Sequence, residues 1–215
     1  MTAVPKVRLR FAKRGDLRLV SHHDLVRCLE RALRRASIPV AVTQGFNPRP
    51  KVTFTLSLAL GIEGCRESVE IDLAEPMEPA EVLSRLAATS PPGLEWLGVE
   101  PATTPRAAQA AAVSYRFALP DDRRAAASAA LADLLAAESR PYARRRPDKD
   151  KVVELDLRPF LLDAAIDPEG VLRFRLKVTN SGAAARPEDI VDVLGLADLL
   201  RDGGVLARTD VELAP

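Results

Sequence analysis

The sequence predicts an α+β chain of two similar halves, each ordered strand, helix, strand, strand, helix, strand, and three observations carry that prediction. Apolar residues recur with period two in several short stretches, the pattern of half-buried strands. Between these lie stretches whose apolar residues fall three and four apart, the pattern of helices packed along one side. Residues 101–112 are mostly Ala, Thr, Pro and Gln, with almost no bulky apolar side chain, and they divide two runs of similar element order. A length of 215 residues suits two domains of about 100 residues each.

Taken in order, Val7, Leu9 and Phe11 alternate with Arg8 and Arg10, which predicts a first strand. Ser21, followed three residues later by Asp24, is a variant capping box and an N-cap. Leu25, Cys28, Leu29, Ala32, Leu33 and Ala36 then keep helical spacing, so a helix is expected over 21–37, stopped by Pro39. A short strand at Val40–Val42 either joins the sheet or feeds it. Val52, Phe54, Leu56 and Leu58 alternate with polar residues and form the next strand; Val69, Ile71 and Leu73 form another. Pro79 to Ala88 reads as a short helix, and Leu94 to Val99 as the closing strand. This order is the ferredoxin-like plan, and the first domain is expected over residues 1–100.

After the linker at 101–112, the plan repeats over 113–215. Val113, Tyr115 and Phe117 alternate, and Asp121 is placed to cap a helix carrying Leu131, Leu134 and Leu135. Strands are expected at Val153–Leu157 and Leu172–Val178, a helix at Pro187–Leu194 with a short piece to Leu200, and a last strand at Val205–Leu213. The fold class is therefore α+β, with tandem ferredoxin-like domains.

Composition narrows the function. Lys and Arg number 31 against 30 Asp and Glu, so global charge draws the chain to no polyanion; a basic site has to come from local sorting. Two cysteines, Cys28 and Cys65, are too few for an iron–sulfur cluster, which needs three or four thiolates. No stretch approaches the length of a membrane span, and the first residues lack a signal-peptide pattern, so a cytoplasmic location is expected. There is no phosphate loop ending in Lys-Ser/Thr, no Rossmann glycine fingerprint, no zinc-protease helix motif and no nucleophile-elbow serine. No catalytic residue, cofactor or metal is expected.

Local sorting is present. At 100° per residue, Arg27, Arg31, Arg34 and Arg35 lie opposite the apolar stripe of the first helix. They form either a solvated face or a ridge of guanidinium forks for phosphate oxygens. His23 falls beside them, whereas His22 falls beside the apolar stripe. The pair could supply general-base chemistry to an endoribonuclease, but neighbours on a helix diverge too far to address one atom.

The segment Gln44-Gly45-Phe46-Asn47-Pro48-Arg49-Pro50-Lys51 is the most unusual in the chain. Prolines on both sides of Arg49 hold it extended and lower the entropy lost when it grips an anion. The expected ligand-binding set is His23, Arg27, Arg31, Gln44, Asn47, Arg49 and Lys51. A second cationic surface is expected from Arg173, Arg175 and Lys177, which share one strand face. Arg144, Arg145 and Arg146, followed by Lys149 and Lys151, form a run diluted by Asp148 and Asp150. Aromatic residues are only 4% of the chain, poor material for recognition by base stacking.

The Ser21-His22-His23-Asp24-Leu25 start of the Arg-rich helix, the Gly45–Lys51 stretch, and Leu58-Ala59-Leu60-Gly61 with Glu70 together resemble a radical-SAM-associated bacterial family of unassigned activity. Its members occur free-standing or as the C-terminal domain of a long radical SAM protein. The resemblance implies partnership with a radical SAM enzyme that modifies tRNA, rRNA or a ribosome-related substrate, and it implies no catalytic residue. In architecture alone the chain is also similar to the CRISPR-repeat-processing endoribonucleases. Those carry a glycine-rich loop near the C-terminus, where this chain has only Asp202-Gly203-Gly204. The expected function is a non-catalytic accessory or substrate-binding protein; the alternatives are a metal-independent endoribonuclease and a protein-docking module.

Overall fold

The computed structural model describes residues 4–102, 104, 106–146, 151–179 and 184–214. The chain divides into two compact units, one reaching to Ala110 and taking in the residues from Leu213 onward, the other spanning Ala111–Glu212. Both mix helices with antiparallel strands, an α+β fold.

The first unit begins with strand β1 (Val4–Lys13), in which Val7, Leu9 and Phe11 are fully buried. Helix α1 follows (His22–Arg35), then β2 (Val52–Phe54), β3 (Glu63–Met77), helix α2 (Pro79–Ala87) and β4 (Leu94–Pro101). All pairings are antiparallel and the strand order is β4-β1-β3-β2. Leu9 lies opposite Val69 on one side and Val99 on the other. Leu25, Leu29 and Leu33 of α1 and Val82 and Leu86 of α2 pack on this face and complete one core. Burying the three leucines of α1 contributes about 1.5–3 kcal/mol each, which fixes α1 on the sheet and turns its arginine face outward.

On the other face, Glu70 is almost completely buried. It pairs with Lys6 Nζ at 2.6 Å, and it accepts from Arg8 Nη2 at 2.8 Å and Nε at 3.1 Å and from the Ala108 amide at 3.3 Å. Burial pushes its carboxyl up, but the hydrogen bonds from Lys6, Arg8 and Ala108 outweigh that, and the group lies below its ordinary value.

The second unit runs β5 (Ala110–Ala118), α3 (Asp121–Ala136), a hairpin of β6 (Pro141–Arg146) and β7 (Lys151–Asp156), β8 (Leu161–Ile166), β9 (Val171–Lys177), α4 (Pro187–Val193), α5 (Ala197–Arg201) and β10 (Ala207–Leu213). The strand order β10-β5-β9-β8 repeats that of the first unit, with the β6–β7 hairpin inserted between α3 and β8. Phe117, Leu172, Phe174, Leu176, Ile190 and Val191 are all buried.

Several elements depart from expectation. Helix α1 stops at Arg35 because Ser37 turns left-handed, with φ of 52°, two residues before Pro39. Strand β2 ends at Phe54, well before Leu58. Val40–Val42 makes only isolated bridges, Val40 to Leu73 and Val42 to Pro50. Pro120, with Asp121 already in the first turn, is the N-cap of α3. Strands β6 and β8 have no counterpart in the sequence reading. Pro101 closes β4 and Ala110–Ala112 open β5, so the segment between the strands is shorter than 101–112. Among the described residues, no helix is long and apolar enough to cross a membrane.

Candidate functional site

The first unit carries a cavity of about 330 Å³ lined by His23, Val26, Arg27, Glu30, Arg34, Pro48, Arg49 and Pro50. Two elements build it. Helix α1 supplies residues 23, 26, 27, 30 and 34, which recur at the three- and four-residue spacing of one helix face. The proline-flanked segment supplies the opposite wall.

The helix begins firmly. Ser21 Oγ accepts from the Asp24 amide at 3.2 Å and donates to Asp24 Oδ2 at 2.7 Å. Arg27 Nη1 reaches Asp24 Oδ1 at 3.3 Å. The Ser21 hydroxyl, foremost, and the neighbouring Arg27 hold the Asp24 carboxyl below its ordinary value. The proline-flanked segment is tied at its neck. The Thr43 amide donates to the Arg49 carbonyl at 2.8 Å, and the Arg49 amide donates to Thr43 Oγ1 at 3.0 Å. The Lys51 amide donates to the Ala41 carbonyl at 2.7 Å. Ala41 and Lys51 each bond in turn to Asp72 of β3, through Ala41 N–H to Asp72 O at 2.8 Å and Asp72 N–H to Lys51 O at 3.1 Å. Arg49 is thus held at the sheet edge by backbone bonds that leave its guanidinium exposed. Among the described residues neither Arg34 nor Arg49 enters an ion pair, so both remain available to an anion.

The wall therefore sets three guanidinium groups against one carboxylate, Glu30. Such a cleft concentrates positive potential and suits a phosphate or a carboxylate. Of the expected set, His23, Arg27 and Arg49 line the cavity, while Arg31, Gln44, Asn47 and Lys51 are exposed outside its wall. Arg34, Glu30 and Val26 were not in that set. Glu30 and Arg34 lie three and seven residues after Arg27, and Val26 three after His23, spacings that put them on one helix face. His22 turns away and packs edge-on against Phe54, with ring centroids 5.0 Å apart. Its centroid lies 6.2 Å from that of His23.

Residues 6–187 match a family model described as "Uncharacterized protein conserved in bacteria (DUF2344)". The chain belongs to this family. The match takes in every residue of the cavity wall. No curated protein matches the chain. Among solved structures, an unknown protein from Galdieria sulphuraria is similar at 12% identity over 98% of this chain and 99% of that one, with a TM-score of 0.30.

The second unit's cations are differently placed in this family member. Arg173 Nε bonds Asp167 at 3.0 Å, and Arg175 bonds both Asp163 at 3.0 Å and Glu212 at 2.6 Å. These carboxylates offset the charge of the β9 face and leave Lys177 as its exposed cation without such a partner among the described residues. Arg144 is buried and paired through two nitrogens with Asp189, and it also donates to the Ala184 carbonyl at 2.7 Å. It holds β6 against the start of α4. Asp148, Lys149 and Asp150 lie outside the described residues, as do the side chains of Arg146 and Lys151. Among the described residues, no three His, Cys, Asp or Glu side chains are grouped to hold a metal ion.

Proposed function

We propose that this chain is a non-catalytic, cytoplasmic substrate-binding or accessory protein for a radical SAM enzyme, and that the cavity between α1 and the Arg49 segment grips a phosphate of structured RNA. One observation carries the binding part: Arg27, Arg34 and Arg49 line a single cleft, two of them with no carboxylate partner among the described residues. Backbone bonds and two prolines hold Arg49 in place beforehand, which reduces the order lost on binding. The radical SAM partner rests on the resemblance of the Ser21–Leu25 and Gly45–Lys51 motifs. The strand orders β4-β1-β3-β2 and β10-β5-β9-β8 support a ferredoxin-like plan for each unit.

The test is filter binding of total tRNA and rRNA at rising salt, with the wild type and R49A. The wild type binds at low salt, and R49A lowers the slope of log affinity against log salt by about 0.7–0.9, one phosphate contact. An absence of binding at low salt, or an R49A slope equal to the wild type's, overturns the RNA reading. Co-purification with a radical SAM enzyme in the absence of RNA affinity would instead favour protein docking. A second reading draws on His23, which stands in the cavity wall: a metal-independent endoribonuclease with His23 as general base. It requires products with 2′,3′-cyclic phosphate ends, and RNA left intact after long incubation excludes it.

A further inference from the structure

Phe46 is fully exposed. The other five phenylalanines are buried or half-buried: Phe11, Phe117 and Phe174 in cores, Phe54 against His22, and Phe160 beside β8. An aromatic ring left in water loses the stabilisation that burial gives every other phenylalanine in the chain, so its position needs a reason.

The backbone makes that position definite. Thr43 and Arg49 close the neck of the loop, which leaves Gln44–Pro48 as its tip. Gly45 has φ of 133°, a conformation that other residues rarely adopt, yet a side chain there would meet nothing within 4 Å. The glycine is required by the turn and not by crowding, and the turn is what lifts Phe46 into solvent. Arg49, in the cationic cleft, is three residues away, within about 10 Å along an extended chain. The ring's neighbours on the tip, Gln44 and Asn47, carry amide groups that both donate and accept. An apolar ring beside a guanidinium cleft, flanked by two amides, matches the three parts of a nucleotide: a π-face, a phosphate and a polar base edge. A protein-docking site would set the ring among other large apolar side chains; here Gln44 and Asn47 flank it on the tip, and the nearest exposed large apolar residue in the chain, Val42, lies beyond the neck at Thr43.

We infer that Phe46 is the stacking platform for an unpaired base of the RNA whose phosphate occupies the Arg49 cleft. This rests on the RNA reading above and makes it specific: the target is a loop, bulge or single-stranded end, not a continuous duplex.

The experiment compares wild type, F46L, F46W and R49A for binding to a single-stranded RNA oligonucleotide and to the same strand paired in a duplex. Because Phe46 touches no core, none of its variants threatens the fold. F46L keeps an apolar side chain but loses the π-face, and it is expected to weaken single-strand binding by about five- to a hundredfold with an unchanged salt slope. F46W is expected to hold affinity within about threefold, and its added indole fluorescence, above the Trp96 background, is quenched by the RNA. R49A lowers the salt slope instead. If the wild type binds RNA and F46L binds equally well, or if the duplex is preferred, the stacking role is overturned while the RNA reading stands. If the wild type binds no RNA, both fall.

Discussion

Thr43 gives the sharpest test of whether Arg49 is held in place before its ligand arrives. Its hydroxyl accepts the Arg49 amide at 3.0 Å, while its own amide holds the Arg49 carbonyl at 2.8 Å. Thr43→Val keeps the branched shape and the backbone bond and removes one acceptor. A neutral hydrogen bond contributes about 0.5–1.5 kcal/mol net. Both residues are exposed, so the freed amide turns to water and the loss sits at about 0.5–1 kcal/mol. That corresponds to about a two- to fivefold change in an equilibrium constant. Hydrogen exchange at the Arg49 amide is expected to speed up by this factor, and RNA affinity to fall by the same factor. The salt slope stays at the wild-type value because no phosphate contact is lost. Stability in urea falls by no more than the same amount, about 0.5–1 kcal/mol, because the bond is absent from the unfolded chain. Wild-type exchange and affinity together would refute preorganisation by this bond. A global loss well above about 1 kcal/mol would mean that the variant disturbs more than this bond and would refute the local account.

Two further outcomes follow from the packing. Glu70→Gln removes the charge that three side-chain donors on Lys6 and Arg8 address, so the first unit loses about 3 kcal/mol in urea at pH 7. Because the folded carboxyl titrates below its ordinary value, that stability is fully present above the unfolded value of about 4.3. It drains as pH falls through the folded value, so the gap between wild type and E70Q narrows in acid, and a gap constant with pH contradicts the pairing. Gly93→Ala puts a side chain at φ of 85°, with its Cβ 2.6 Å from the Arg14 carbonyl oxygen, at a turn where the Arg14 amide bonds the Gly93 carbonyl at 2.9 Å. A loss of about 1–3 kcal/mol is expected in thermal unfolding; an unchanged midpoint would mean the turn relaxes freely.

The sequence disclosed most where one side of an element is strongly apolar. β1 alternates and α1 keeps its three- and four-residue spacing so regularly that their buried residues, Val7, Leu9, Phe11, Leu25, Leu29 and Leu33, could be read directly. β6 was hidden because Tyr142-Ala143-Arg144-Arg145 reads as a charge run, whereas Arg144 is buried on Asp189, a partner 45 residues away. β8 was hidden because Leu161–Ile166 alternates weakly and only Leu161 is buried. At the site, the arginine face of α1 and the stiffness around Arg49 are local properties and were legible. Their meeting in one cleft depends on backbone bonds from Ala41 and Lys51 to Asp72, which no local pattern reports. The pairing of Arg173 and Arg175 with Asp163, Asp167 and Glu212 was likewise invisible, since those carboxylates arrive from other strands and a turn. Low aromatic content describes the average residue and does not report one ring at a turn tip, as at Phe46.

A double-mutant cycle on RNA binding, with R34A, R49A and R34A/R49A, asks whether the helix and the segment grip one phosphate. Two groups on a single anion are energetically coupled by about 0.5 kcal/mol or more, so the double variant is expected to bind at least about twice as well as the product of the two single losses would give. Losses that simply multiply would place Arg34 and Arg49 on separate phosphates, or on none in common, and contradict the shared cleft.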